Sequence, residues 1–275
     1  MKKLIEVFLF LLCSGVIYSQ QDADFKIKSG YVKGVTYYMA VYLPDSYDTS
    51  KSSYPVLYCT DGAAHEMLIP ALYTALRFAE EVEEIIIVEI TCSDDSLRWK
   101  ENRDRDFTPS ELVKKEYMEL TPKNPDSAGG AGNFLKFIRL ELIPYIESHY
   151  RADTVSRGYF GHSYGGLFGV YAIAVEPGLF KKYIIGSPSL WYDNFSLIDM
   201  LSSVHAWDLV IEKVYICTGE KEPADMLKSF SLLKKWLAKN ELTSRQLKTE
   251  IINGETHRSS VVRCLFSGMR FLYGK

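Results

Sequence analysis

Gly161-His162-Ser163-Tyr164-Gly165-Gly166 matches the pattern G-x-S-x-G, a sharp turn that lifts a serine from the end of a strand into the mouth of a helix. In such a turn the residues two before and two after the serine come close together, and glycine at both places avoids the clash a Cβ would make. Gly166 extends the small-residue run so that the following helix packs tightly on a sheet. The flanks agree. Arg157-Gly158-Tyr159-Phe160 reads as a short strand, and Leu167 to Val175 (LFGVYAIAV) reads as a buried helix ended by Glu176-Pro177-Gly178.

Outward from this turn, apolar runs alternate with amphipathic stretches. Phe25 to Lys28 and Val35 to Leu43 alternate apolar and polar residues, as paired antiparallel strands do. Tyr54 to Cys59 and Ile85 to Ile90 are continuous apolar runs, the mark of strands buried on both faces. Met67 to Glu80 has helical periodicity. Residues 91–132 are polar and irregular and read as a substrate-side insertion. Asn133 to Tyr150 predicts an amphipathic helix, bent by Pro144. Beyond the serine turn, Lys182 to Gly186, Val214 to Cys217 and Leu247 to Ile252 read as strands. Met226 to Asn240 and Val261 to Phe271 read as helices. This order predicts an α/β protein with a mostly parallel central sheet and helices on both faces.

Three loops then meet at the C-terminal ends of strands, where such sheets place their sites. A free serine hydroxyl is a weak nucleophile and needs a base within hydrogen-bond reach. Of the five histidines, only His257 follows the last strand and precedes the last helix. His162 sits inside the turn, pointing away from the nucleophile. His149 ends a helix, His205 follows no strand, and His65 lies near the first loop. Glu220, Glu222 and Asp225 all follow the Val214 to Cys217 strand. Glu222 is the preferred acid because it leaves room for the chain to turn back, with Glu220 next. An oxyanion would be met by the amide of Tyr164 and by that of Gly62 or Ala63.

The chain has 275 residues, 47% of them hydrophobic, and a formal net charge of −3. That is enough for one sizeable core, and it lacks the basic stripe of a nucleic-acid binder. The expected partner is a small molecule. Residues 1–19 read as a signal peptide: Lys2-Lys3, an apolar run from Leu4 to Leu12, and small residues before a cut after Ser19. The expected location is periplasmic or secreted. Lipidation at Cys13 is disfavoured, because no small residue precedes it and Phe10 replaces the usual leucine. The remaining domain is residues 20–275. Cys59, Cys92, Cys217 and Cys264 lack metal or redox spacing and read as buried small hydrophobes.

The mature chain resembles the esterase family of α/β-hydrolases that includes esterase D, the enterochelin (siderophore) esterases, feruloyl and acetylxylan esterases, and mycolyltransferases. The resemblance rests on Tyr54-Pro55-Val56-Leu57-Tyr58 with Asp61-Gly62, and on Arg103-Asp104-Arg105-Asp106-Phe107-Thr108-Pro109. It rests also on Gly129-Gly130-Ala131-Gly132-Asn133-Phe134, on Gly161 to Gly166, and on Ser187-Pro188-Ser189-Leu190-Trp191. The last of these leans toward the enterochelin-esterase-like branch. The resemblance implies an α/β-hydrolase fold, with Ser163 as nucleophile, His257 as base and no metal or organic cofactor. The acid varies in that branch, so Glu222, Glu220 and no acid at all stay open. Asp61-Gly62 stands where other branches carry His-Gly. Arg98, Arg103 and Arg105 are candidates to grip an anionic substrate group, or else to pair with Asp104 and Asp106 as scaffolding. Trp191 and Tyr192 are candidates to stack on a ring. The implied reaction is ester hydrolysis through an acyl-enzyme. Acyl transfer and a non-catalytic binding role are the alternatives.

Overall fold

The computed structural model describes residues 20–62, 67–91, 99–111, 128–204, 209–240, 242–243 and 245–275. The predicted signal peptide, Ala63, Arg98, Cys92, His65 and His205 lie outside them. Eight strands form one sheet: β1 (Gln20–Lys28), β2 (Thr36–Leu43), β3 (Tyr54–Cys59), β4 (Ile86–Thr91), β5 (Ala152–His162), β6 (Lys182–Gly186), β7 (Lys213–Gly219) and β8 (Leu247–Ile252). Their order is β1-β2-β4-β3-β5-β6-β7-β8. The β1–β2 and β2–β4 pairs are antiparallel, and every other pair is parallel. The chain steps outward from β3 to β4, then returns past β3 to β5. This reversal between β3 and β5 is the crevice where α/β sheets bind ligands.

The continuous apolar runs are explained by two cores, one on each face. Side chains alternate across the sheet with period two, so Val56 and Tyr58 enter one core while Leu57 and Cys59 enter the other. Likewise Tyr183 and Ile185 oppose Ile184, and Ile216 opposes Tyr215 and Cys217. The first face is covered by α3 (Ala131–Phe137), α4 (Ile143–His149), α5 (Tyr164–Val175), α6 (Ser196–Leu201) and α7 (Ala224–Lys239). The second face is covered by α1 (Leu68–Phe78) and α8 (Ser260–Tyr273). Helix α5 is apolar all round because neighbours enclose it. Leu167, Phe168, Val170 and Ile173 are fully buried, each contributing about 1.5–3 kcal/mol. Cys59, Cys217 and Cys264 are buried free thiols.

Beyond β1, which begins at Gln20 and not Phe25, and the helix Ser196–Leu201, which the sequence reading lacks, three further elements differ from the sequence expectation. Within residues 91–132 lies a helix, α2 (Trp99–Phe107). Its sequence, WKENRDRDF, has no apolar stripe, so periodicity does not reveal it. Charge pairs, one hydroxyl and a single buried ring, Phe107 against Phe134 and Phe168, hold it instead. Thr108 Oγ1 donates to Asp104 O (2.6 Å) and accepts from Gly129 N (2.8 Å), tying the end of α2 to the start of α3. The expected single helix over 133–150 is divided into α3, a π-turn at Ile138–Leu142, and α4 (Ile143–His149). Pro144 has no N–H and its ring crowds the preceding turn. The ladder widens there, with Ile143 N bonding Ile138 O. Strand β5 starts five residues earlier than Arg157, because the mostly polar Asp153-Thr154-Val155-Ser156 continues extended at its exposed end.

Candidate active site

Ser163 sits between β5 and α5 with φ 60° and ψ −117°, a conformation costly for a residue with a side chain. Neighbours over-determine it. Ser163 N donates to Gly186 O (2.9 Å), and Ser189 N and Leu167 N both donate to Ser163 O. The glycines are sterically required. A Cβ on Gly161 would lie 2.3 Å from Gly165 O, and one on Gly166 would lie 2.8 Å from Gly186 O. From below, Tyr159 Oη donates to Gly165 O (2.7 Å) and pairs with Thr60 Oγ1 (3.0 Å).

His257, from the loop after β8, places Nε2 3.0 Å from Ser163 Oγ and Nδ1 2.8 Å from Glu222 Oε2. An ionised carboxylate only accepts, so Nδ1 carries the imidazole proton and Nε2 is bare toward the serine. The Glu222 side chain is fully buried, whereas that of His257 is 34% exposed. Burial alone would raise the Glu222 pKa. Hydrogen bonds from His257 and Ser187, the His257 charge and the Gly219 amide outweigh it and hold the carboxyl below its usual value. Glu220, the second candidate acid, is elsewhere and accepts from Gly254 N (2.8 Å). Asp225 lies in the first turn of α7.

Two hydroxyls beside these groups were not singled out by the sequence. Ser187 Oγ donates to Glu222 Oε1, and Ser189 Oγ lies 3.3 Å from Ser163 Oγ. Their signal in the sequence is the Ser187-Pro188-Ser189-Leu190-Trp191 stretch. His162 does not face Ser163. Its Nε2 is 3.3 Å from Ser260 Oγ, and its ring packs 4.9 Å from that of His257.

Of the candidate substrate arginines, the two that lie within the described residues, Arg103 and Arg105, are engaged by carboxylates. Arg103 donates through Nε and Nη2 to Asp61 Oδ1 and Oδ2, at 2.9 and 3.0 Å. Arg105 makes the expected scaffold pair, with bonds of 2.7 and 2.9 Å to buried Asp106 and a third to Asn102. Burial raises the Asp106 pKa despite that partner. Trp191 Nε1 donates to Met226 Sδ (2.8 Å). Tyr192 is buried, its ring edge-on to Tyr164 and its Oη donating to Ser110 O. Among the described residues, no group of three or more His, Cys, Asp or Glu side chains could hold a metal ion.

A family model described as putative esterase matches residues 34–258. The chain is 27% identical over 246 residues to the uncharacterized protein YbbA of Bacillus subtilis, covering 86% of this chain and 92% of that one. It is 32% identical over 170 residues to the ferri-bacillibactin esterase BesA of the same organism, an alignment covering 59% of this chain and 57% of the esterase. Among solved structures, the BES protein from Bacillus cereus superposes with a TM-score of 0.78 at 28% identity, covering 92% of this chain and 96% of that one.

Proposed function

The chain belongs to the putative-esterase family of α/β-hydrolases, and from that premise we propose that it is a serine carboxylic-ester hydrolase acting through an acyl-enzyme on Ser163. The observation that supports this best is the line from Ser163 Oγ through His257 to buried Glu222, with contacts of 3.0 and 2.8 Å. Ser163 attacks the ester carbonyl while its proton passes to His257 Nε2. Glu222 holds the ring in the tautomer that can accept it. The negative oxygen of the tetrahedral intermediate is met by the amides of Tyr164 and of Gly62 or Ala63. The first amides of a helix have no carbonyl partner within it, so Tyr164 N–H is available for this. Collapse expels the alcohol, which takes the proton from His257. Water then gives a proton to His257, attacks the acyl carbon and releases the acid, restoring Ser163.

A stoichiometric test uses an aryl phosphonate and mass spectrometry. The expected adduct is one per chain, on the peptide containing Ser163, with loss of activity in proportion. An adduct elsewhere, or turnover that survives full labelling, would overturn the assignment. For substrate class we propose siderophore-type lactones or carbohydrate-linked esters, the first supported by the likeness to the ferri-bacillibactin esterase. A panel of catecholate lactones, feruloylated sugars and acetylated sugars ranks them by kcat/KM.

We also propose export, from residues 1–19. The expected mature chain is a single domain beginning at Gln20, found by N-terminal sequencing of protein from the periplasm or medium. A cytoplasmic chain retaining Met1 would refute it. Among the described residues no helix is long and apolar enough to cross a membrane.

A further inference from the structure

We propose that the Asp61–Arg103 ion pair pins the oxyanion loop, which makes Arg103 a positioning residue for the reaction and not a substrate anchor. The inference rests on the reading of Ser163 as nucleophile. Asp61 immediately precedes Gly62, at the start of the loop that leaves β3. Its φ of 61° is left-handed, which a residue with a Cβ adopts only when surrounding contacts impose it. Gly62 also lies tight against the end of β4, where an added Cβ would come within 2.6 Å of Thr91 Oγ1. A small shift of Asp61 therefore moves the Gly62 amide.

Arg103 supplies the restraint. Its planar fork takes both oxygens of Asp61, which sets the carboxylate's orientation as well as its distance. The two side chains are 13% and 3% exposed, so little water competes. The same guanidinium lies 5.3 Å from the Tyr164 ring and 5.6 Å from the Phe107 ring. It thus touches both residues that flank the hole: Asp61 on the loop side and Tyr164 on the helix side.

Charge gives a second reason for the pair. Asp61 Oδ2 is 3.3 Å from where a Cβ on Gly165 would stand, so the carboxylate rests against the first turn of α5. An uncompensated carboxylate there opposes the negative charge that develops on the carbonyl oxygen. Arg103 cancels it. Arg105, on the same helix, is turned to Asp106 and Asn102 and cannot substitute. Helix α2 is therefore part of the catalytic frame, although it carries none of the reacting groups.

The test is a double-mutant cycle on a neutral short-chain ester with Arg103→Gln, Asp61→Asn and the double variant. Each single change is expected to lower kcat by about 10²-fold with KM nearly unchanged. The double variant should be no worse than the poorer single one, because the two residues act as a unit. Affinity for a boronic acid, which forms a tetrahedral adduct, should fall in parallel. Arg103→Lys keeps the charge without the fork and should restore part of kcat. It also serves if Arg103→Gln melts below the assay temperature. The proposal is overturned if Arg103→Gln keeps wild-type kcat on the neutral ester, whether or not KM rises for anionic esters. Additive losses in the cycle would overturn it as well. If the wild-type protein cleaves no ester, the reading of Ser163 fails first. If the wild type is active and the cycle is flat, only the pin fails.

Discussion

Ser163→Ala is expected to lower kcat on a chromogenic short-chain ester by about 10⁴-fold or more, with the fold intact. The reason is specific to the geometry. The alanine removes the hydroxyl that lies 3.0 Å from His257 Nε2, and Ser189, whose Oγ is 3.3 Å from that of Ser163, is held on a different loop. His257→Ala should cost a similar factor, and the double variant hardly more than either single one. Nucleophile and base work as a unit, and what remains is the oxyanion site and substrate binding. Equal rates for wild type and Ser163→Ala would sink the catalytic assignment. A Ser163→Ala loss without a His257→Ala loss would move the base elsewhere. The alanine should leave the melting temperature nearly unchanged, since it removes a single atom and Ser189 Oγ keeps its contact with Met226 Sδ.

The second large effect is expected at the acid. Glu222→Gln keeps the shape but presents an amide to His257. The ring can then settle with its proton on Nε2, facing Ser163, where it cannot accept another. A loss of about 10³–10⁴-fold in kcat is expected. Glu220→Gln is the control and should stay within a few fold, because Glu220 accepts from the Gly254 amide while His257 Nδ1 is taken by Glu222. If Glu222→Gln is as fast as wild type, the enzyme works with serine and histidine alone. The same variant has a signature in stability. Glu222 has a lowered pKa when folded, so the unfolded chain takes up its proton first as the solution is acidified. The contribution is complete above the ordinary carboxylate range and is lost as pH falls through that range and below it. Wild-type stability should therefore decline more steeply on acidification than that of Glu222→Gln.

Much of this site is legible in the sequence because its constraints are local. The tight turn at Ser163 demands glycine on both sides, and Gly161 has no room for a Cβ beside Gly165 O. The central strands β3, β4, β6 and β7 stand out because burial on two faces favours apolar residues at nearly every position. His257 is found by its place between β8 and α8. The acid is only half legible. Glu220, Glu222 and Asp225 are alike in charge and neighbourhood, and the choice falls to Glu222 because the chain after β7 turns that carboxylate inward onto Ser187, Gly219 and His257.

By itself, then, the sequence determines the α/β class, the strand order along the chain, the serine turn and the histidine that follows the last strand. These depend on steric and hydrophobic rules that act over a few consecutive residues. Only the tertiary structure decides what the charged residues do. Helix α2 has no apolar periodicity to announce it, and Arg103 meets its partner 42 residues away in the chain. A charged side chain in a polar segment reads the same whether it faces solvent, substrate or a carboxylate. Its role is set by which groups the fold brings within hydrogen-bond distance of its tip, and that distance is a property of the packed molecule.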